Sequence, residues 1–411
     1  MIFCHGHIGK AGLRRMDYLP CRASCVGLRP EPVRAYGACR QGPVGLMLVS
    51  NTWRAAMDWP PFGAEVTLTT TAEQLITVAE RHARQDAHPS TRITPNLFGI
   101  ALGLAGLGDA WWAAEFALGA PSAASNTAYA LATVVWVGLI VAYLRQGPRQ
   151  IVRDLRDPVL APFVTAAPIT GMVLSLALAQ FSFEAGRTLV VVFLAATLVL
   201  GAWLMGHWII TDLQPESAHP GYFLPTVAGG LIGAFATAGV QLQALAQLSF
   251  GIGMVSWLLL GSIVLNRLFF RRLLPAPLLP TLAIESAPPA MAGVAYWAVT
   301  GGLADPFAYG LAGYAVLMAV IQLRFLPVYR RLQFGPGMWA FTFAYSAIAT
   351  DALLWIAQSH APGATAYAVV VLGFMTVLVL AIAARTVVAL FQHTFLPPAH
   401  VSLEQQAAPS A

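Results

Sequence analysis

An all-α integral membrane protein, with ten transmembrane helices paired as five helical hairpins, is the fold this sequence predicts. Two observations carry that prediction. Of the 411 residues, 57% are hydrophobic and only 10% charged, with a mean hydropathy of +0.67; soluble domains carry about 25% charged residues. After Arg92 the apolar residues fall into blocks of roughly 18 to 25, each long enough to cross about 30 Å of hydrocarbon as a helix. A helix satisfies every backbone donor and acceptor internally. The blocks lack the two-residue alternation of a barrel strand, which argues against an outer-membrane barrel.

The elements follow in order. Span one (Leu97–Ala117) comes after Pro95 and carries Gly99, Gly103 and Gly106 at helical spacing, with Asp109 as an embedded charge. Such small-residue faces let helices approach closely, and they leave a lumen smooth. Span two (Thr127–Leu144) is followed by Arg145, Arg149, Arg153 and Arg156. Span three (Phe163–Phe181) contains Pro168, and span four (Leu189–Ile209) ends at His207-Trp208, an interfacial pair. Span five (Phe223–Leu242) starts at Pro225 in HPGYFLP, where His219 shapes the entrance to the helix, and continues as GGLIGAFATAG. Span six (Leu248–Phe269) closes on Arg267, Arg271 and Arg272. Span seven (Glu285–Thr300) is short and opens on Glu285 and Pro288-Pro289. Span eight (Phe307–Phe325) is followed by Arg330 and Arg331. Span nine (Gly337–Trp355) holds Phe341-Thr342-Phe343 and, near its far end, Asp351, which is expected to reach water. Span ten (Ala366–Leu390) carries Arg385 late.

Arginines gather where even spans end, and the other side has only Arg187. The positive-inside rule then puts both termini in the cytoplasm. Prolines show the complementary pattern: Pro95, Pro168, Pro225 and Pro288-Pro289 accompany odd spans, and the even spans as drawn contain none. Proline removes a backbone bond and bends a helix. The pattern predicts five bent inner helices and five straighter outer ones.

Residues 1–92 hold all four cysteines (Cys4, Cys21, Cys25, Cys39), the only lysine (Lys10) and ten arginines. The run GPVGLMLVS is too short for a span or a signal peptide. CRASC has no ordered partner set, so a poorly ordered cytoplasmic segment is expected, or an upstream extension with Met47 or Met57 nearer the working start. Residues 72–87 can form a short amphipathic surface helix. The transmembrane domain is drawn at 93–393, with a short cytoplasmic tail at 394–411.

No phosphate loop, HExxH or nucleophile elbow is present, so the sequence predicts no enzyme, cofactor, metal site or nucleic-acid partner. Embedded charges are costly unless paired or wetted. Glu285 is expected at a helix N-terminus, where the dipole favours negative charge. Arg187 and Arg385 are candidate partners for the carboxylates.

Four segments carry a resemblance: ITPNLFGIALGLAGLGDAW, HPGYFLPTVAGGLIGA, LLPTLAIESAPPAMAGVAYWAVTGG and MWAFTF. In this order they are similar to the tellurite-resistance/dicarboxylate transporter family, which includes TehA-type proteins, fungal malate permeases and plant slow-type anion channels. The resemblance covers about 93 to 393. It implies ten helices in five hairpins, the odd helices around a central pore, and a homotrimer in the bacterial cytoplasmic membrane. It also implies that a phenylalanine of the ninth helix plugs the pore; the matching residue is Phe343. Plant members have proline next, where this chain has Ala344, so a milder bend is expected. A phenylalanine in a bare lumen blocks water and ions by dewetting; the alternative is that the ring faces lipid or a neighbouring helix. Phe98, Phe235 and Phe341 are further lumen candidates, with Pro168, Pro225 and Pro288 as helix benders.

The function expected is an anion channel or exporter for small monovalent anions. No arginine or lysine ring lies within the odd spans, so easily dehydrated anions should pass best. The alternative is a proton-coupled carrier of C4-dicarboxylates, sulfite or tellurite-related anions, with Asp109 as the coupling acid.

Overall fold

The computed structural model describes residues 92–359 and 362–396. The readings made on residues 1–91, including the cysteines and the 72–87 helix, and on the tail beyond Leu396 lie outside them. Among the described residues the secondary structure is helical throughout. Nine stretches are long and apolar enough to cross a membrane: Pro95–Leu118, Ser122–Leu144, Ala161–Leu178, Phe183–Ile210, Pro220–Gly239, Gln243–Phe270, Pro306–Tyr329, Pro336–Gln358 and Ala364–Phe391.

Span seven takes a different form from the helix expected at 285–300. A 3₁₀ run, Ala276–Ser286, leads into an α-helix of 14 residues, Ala287–Thr300. Pro280 lies inside the 3₁₀ run and withdraws a donor from any α ladder there. Pro288 and Pro289 sit in the first α turn, where the N–H groups have no intrahelical partner. At about 2.0 Å per 3₁₀ residue and 1.5 Å per α residue the two pieces reach roughly 40 Å, enough to cross.

Burial separates the helices into two classes. In the most apolar stretch of spans one, three, five and nine, 78, 83, 78 and 61% of residues are buried. For spans two, four, six, eight and ten the shares are 17, 28, 28, 22 and 28%. Odd spans therefore form the interior, and even spans present Val, Leu, Ile and Phe outward, as a lipid-facing ring does.

The inner helices carry the irregularities. Span three breaks at Thr165, between Ala161–Val164 and Ala166–Leu178. Pro168, buried just after the break, has no N–H for the Val164 carbonyl. Span five runs as a 3₁₀ turn (Pro220–Phe223), a π turn (Leu224–Ala228) containing Pro225, and an α-helix (Gly229–Gly239). Span nine is one unbroken helix from Trp339 to Gln358 after a 3₁₀ turn at Pro336–Met338, with Ala344 in its interior. The outer helices are longer than hydropathy alone indicated, and span eight extends to Tyr329, so Pro327 falls in its last turn. The even spans are thus not proline-free.

A surface helix that hydropathy missed, Pro148–Arg156, follows span two. Its Asp154 is fully buried and accepts hydrogen bonds from Arg92, from Tyr143 (3.0 Å) and from Gln150 (3.0 Å). Burial raises the Asp154 carboxyl above its ordinary range, against the pull of the Arg92 guanidinium. This clasp ties the start of span one to the end of span two.

Candidate functional site

The centre of the inner ring is set by how closely spans one and nine pack. A Cβ on Gly103 would overlap the Thr342 side chain, and one on Gly106 would overlap Ser346. Gly99 faces Trp339 and the ring of Phe343, with a Cβ position 3.6 Å from each. Each contact pairs a residue of span one with one about 240 positions later, so the helices run parallel in a fixed register. That register brings Asp109 level with Thr350.

A cavity of about 70 Å³ lies inside this ring, lined by residues of all five odd spans. Span one contributes Leu102, Gly106 and Asp109, span three Val173, span five Leu231 and Phe235, span seven Pro288 and Met291, and span nine Phe343, Ser346 and Thr350. A second cavity, of about 50 Å³, lies towards the end where the arginines gather, among Asn96, Leu160, Phe163, Pro277 and Pro336. The residue common to both is Phe343. A third, of about 320 Å³, opens at the opposite end among Trp112, Gln180 and Trp297. It shares Phe235 with the central cavity. The central cavity therefore shares one aromatic side chain with each of these neighbours, Phe343 with one and Phe235 with the other.

Phe343 is partly uncovered, packs against three separate hydrophobic clusters, and is paired with no other aromatic ring among the described residues. The rest of span nine is pinned. The indole Nε1 of Trp339 donates to Thr386 Oγ1 on span ten (3.0 Å). The Tyr345 hydroxyl donates to Gln322 Oε1 on span eight (3.1 Å), and Gln322 donates to the Leu282 carbonyl of span seven (3.2 Å).

The other sequence candidates sort by position. Phe235 and Pro288 line the chamber. Phe98 does not: it is buried edge-on against Tyr143, at 5.6 Å between centroids. Phe341 points away from the chamber and packs on Tyr329 (4.7 Å) and Tyr345 (5.7 Å). Two residues along a helix is about 200° around it, so Phe341 and Phe343 occupy opposite faces. Pro168 and Pro225 act on the backbone and do not reach the chamber. Asp109 lies in the chamber wall, where its Oδ1 accepts a hydrogen bond from the Tyr129 hydroxyl (2.7 Å). Sequence reasoning missed Ser346 and Thr350; Gly106 of span one, which faces Ser346, was the available signal for the first. It also missed Trp112 and Trp297, since nothing in a Trp-rich sequence says which rings meet.

The profile of the SLAC1 family, described as voltage-dependent anion channel, matches residues 92–387. This chain belongs to the SLAC1 family. It is 28% identical over 277 residues to the tellurite resistance protein TehA homolog of Haemophilus influenzae, covering 66% of this chain and 84% of that protein. It is 25% identical over 251 residues to the S-type anion channel SLAH2 of Arabidopsis thaliana, covering 60% of this chain and 48% of the plant protein. The chain thus spans about half the length of that second relative.

Several polar residues of this SLAC1-family chain lie outside the central cavity. Asp351 is buried, not wetted as expected: its carboxylate lies against Gly293, where a Cβ would overlap it, beside a small cavity. Glu285 is buried at the end of the 3₁₀ run, next to Ser286, the N-cap of the α-helix, and its Oε1 has no partner among the described residues. Neither pairs with Arg187 or Arg385; Arg385 lies over the Phe334 ring, 5.1 Å from its centroid. His219 is fully buried and stacks on Phe163, and its Nδ1 accepts the Gly221 N–H (3.1 Å), capping the turn that starts span five. Burial lowers its imidazole to about 4. His207 stacks on Trp203, at 5.2 Å.

Proposed function

We propose that this chain is an anion channel or exporter that passes small monovalent anions through the chamber enclosed by the odd spans, with Phe343 as its gate. The observation that carries the reading is that the Phe343 ring walls both the chamber and the cavity towards the arginine-bearing end. A lone ring between two voids, with no aromatic partner, blocks by excluding water and opens by a rotamer change. The family's description as a voltage-dependent anion channel and the name of the Arabidopsis relative, an S-type anion channel, agree with anion transport. The chamber has no lysine or arginine in its wall, so selectivity rests on the cost of shedding hydration water; easily dehydrated monovalent anions pass best.

The arginine distribution supports an orientation with both termini in the cytoplasm, and a bacterial cytoplasmic membrane belongs to the same reading. A homotrimer with one path per protomer belongs to the same reading, as does a transmembrane domain bounded near 93 and 393. The second reading, a proton-coupled carrier of C4-dicarboxylates, sulfite or tellurite-related anions, draws on the place of Asp109 in the chamber wall.

Anion current in planar bilayers, wild type against Phe343→Ala, tests the first reading. It predicts small wild-type currents that grow many-fold in the variant. Absent current in both, with saturable uptake driven by a pH gradient, rejects it in favour of the carrier.

A further inference from the structure

The polar side chains of the chamber wall are Asp109, Ser346 and Thr350, and almost all the rest of the wall is apolar. Ser346 and Thr350 are each 3% exposed. The Ser346 hydroxyl donates to the Phe343 carbonyl (2.9 Å), which leaves its oxygen free to accept. The Thr350 hydroxyl is buried, with no hydrogen-bond partner among the described residues. Buried hydroxyls are almost always bonded, so an orphaned one lining a void marks a place for a guest. Asp109 gives one oxygen to Tyr129 and retains the other.

Charge decides what the guest is. No cation lines the chamber. The titratable groups of the neighbouring elements are Tyr129, whose hydroxyl binds Asp109, and Glu115, which accepts from Ser125 nearer the mouth (2.7 Å). Tyr345 and Asp351 of span nine face away, toward Gln322 and Gly293 respectively. From spans three, five and seven only apolar side chains reach the chamber. An ionised Asp109 and an anion would be two uncompensated negative charges in an apolar enclosure, a heavily unfavourable state. One proton removes the conflict: a neutral Asp109 carboxyl donates to the anion, as does the Thr350 hydroxyl.

We propose that Asp109, Thr350 and Ser346 form an intermediate anion site between the two rings, and that an anion occupies it only together with one proton shared with Asp109. The site suits a monovalent anion with good acceptor oxygens, such as nitrate or a singly charged oxyacid anion. A doubly charged anion keeps the conflict even after the carboxyl is neutral. This inference rests on the chamber being the conduction path.

The test measures nitrate flux into liposomes held at equal pH inside and out, from pH 8 to pH 5. It compares wild type, Asp109→Asn, Asp109→Leu and Thr350→Val, each in the Phe343→Ala background and each checked for folded protein by size exclusion. With Asp109 intact, flux rises as pH falls, by up to about tenfold per pH unit where the carboxyl is mostly ionised. Asp109→Asn keeps a donor that cannot titrate, so its flux is flat and near the acid plateau. Asp109→Leu is flat and low. Thr350→Val keeps the pH slope at reduced flux. A flux independent of pH with Asp109 present, or a slope unchanged by Asp109→Asn, overturns the site. Failure of Phe343→Ala to raise flux at any pH strikes the gate reading instead, and the two failures are told apart in one data set.

Discussion

The two rings that bound the chamber are held in opposite ways. Phe235 stands edge-on to Trp112, at 5.5 Å between centroids, and Trp112 in turn meets Trp297 at 6.2 Å and Phe116 at 5.1 Å. Phe343 touches three hydrophobic clusters yet joins no such aromatic set. Edge-to-face pairs add about 0.5–1.5 kcal/mol beyond area burial, so Phe235 is braced by neighbouring rings in a way Phe343 is not, and under the proposed function Phe343 is the ring that swings. The helix bearing Phe343 is meanwhile fixed from behind by Trp339–Thr386 and Tyr345–Gln322. A rigid helix carrying a ring with no aromatic partner suits the proposed gate; a braced ring suits a structural constriction.

That contrast is broken or sharpened by substitution. The largest effect is expected at Phe343. Withdrawing a phenylalanine from its contacts costs about 1.5–3 kcal/mol, so Phe343→Ala should raise anion flux roughly tenfold to a hundredfold. Phe235→Ala should do the reverse: a modest gain in flux but a cost of about 3 kcal/mol in stability, read as a drop in the detergent melting temperature. Equal flux gains from both variants would erase the distinction.

The register of spans one and nine comes next. A Cβ on Gly103 overlaps Thr342, whereas one on Gly99 makes ordinary contacts at 3.6 Å. Gly103→Val should therefore lower the yield of folded protein sharply, and Gly99→Ala should leave yield near wild type and alter flux less than twofold, by about 0.4 kcal/mol or less. A well-folded Gly103→Val would refute the packing that positions the gate.

The smallest effect concerns His219, away from both rings. Its folded-state value is lowered to about 4 from an ordinary 6.5, so between those limits the unfolded chain binds the extra proton. Stability is full above pH 6.5 and falls as pH drops, by at most about 1.4 kcal/mol per unit. Melting temperatures at pH 7 and pH 5 should differ less in His219→Asn than in wild type; an equal difference assigns the acid sensitivity to other groups.

How much was legible in the sequence depends on the kind of signal. The division into inner and outer helices could be read, because proline and glycine leave marks that hydropathy does not. Phe343 could be singled out through the motif around it, but its face of the helix could not: Phe341, two residues away, has the same chemistry and points elsewhere. Span seven was drawn too short because a 3₁₀ run rich in proline does not read as a helix. Asp351 was misjudged since burial of a carboxylate depends on a neighbour such as Gly293, distant in sequence. Thr350 carries no local sign at all; only the void in front of it gives it meaning.

The central claim is that the Phe343 ring divides one continuous path, and an accessibility measurement tests it most directly. Ala347 lines the chamber one turn beyond the ring. With the four native cysteines replaced by serine, Ala347→Cys would be treated with a small charged thiol reagent applied from the arginine-bearing side. The account predicts no modification while Phe343 is present and rapid modification once it is alanine. Modification with the ring in place, or protection after its removal, would contradict it.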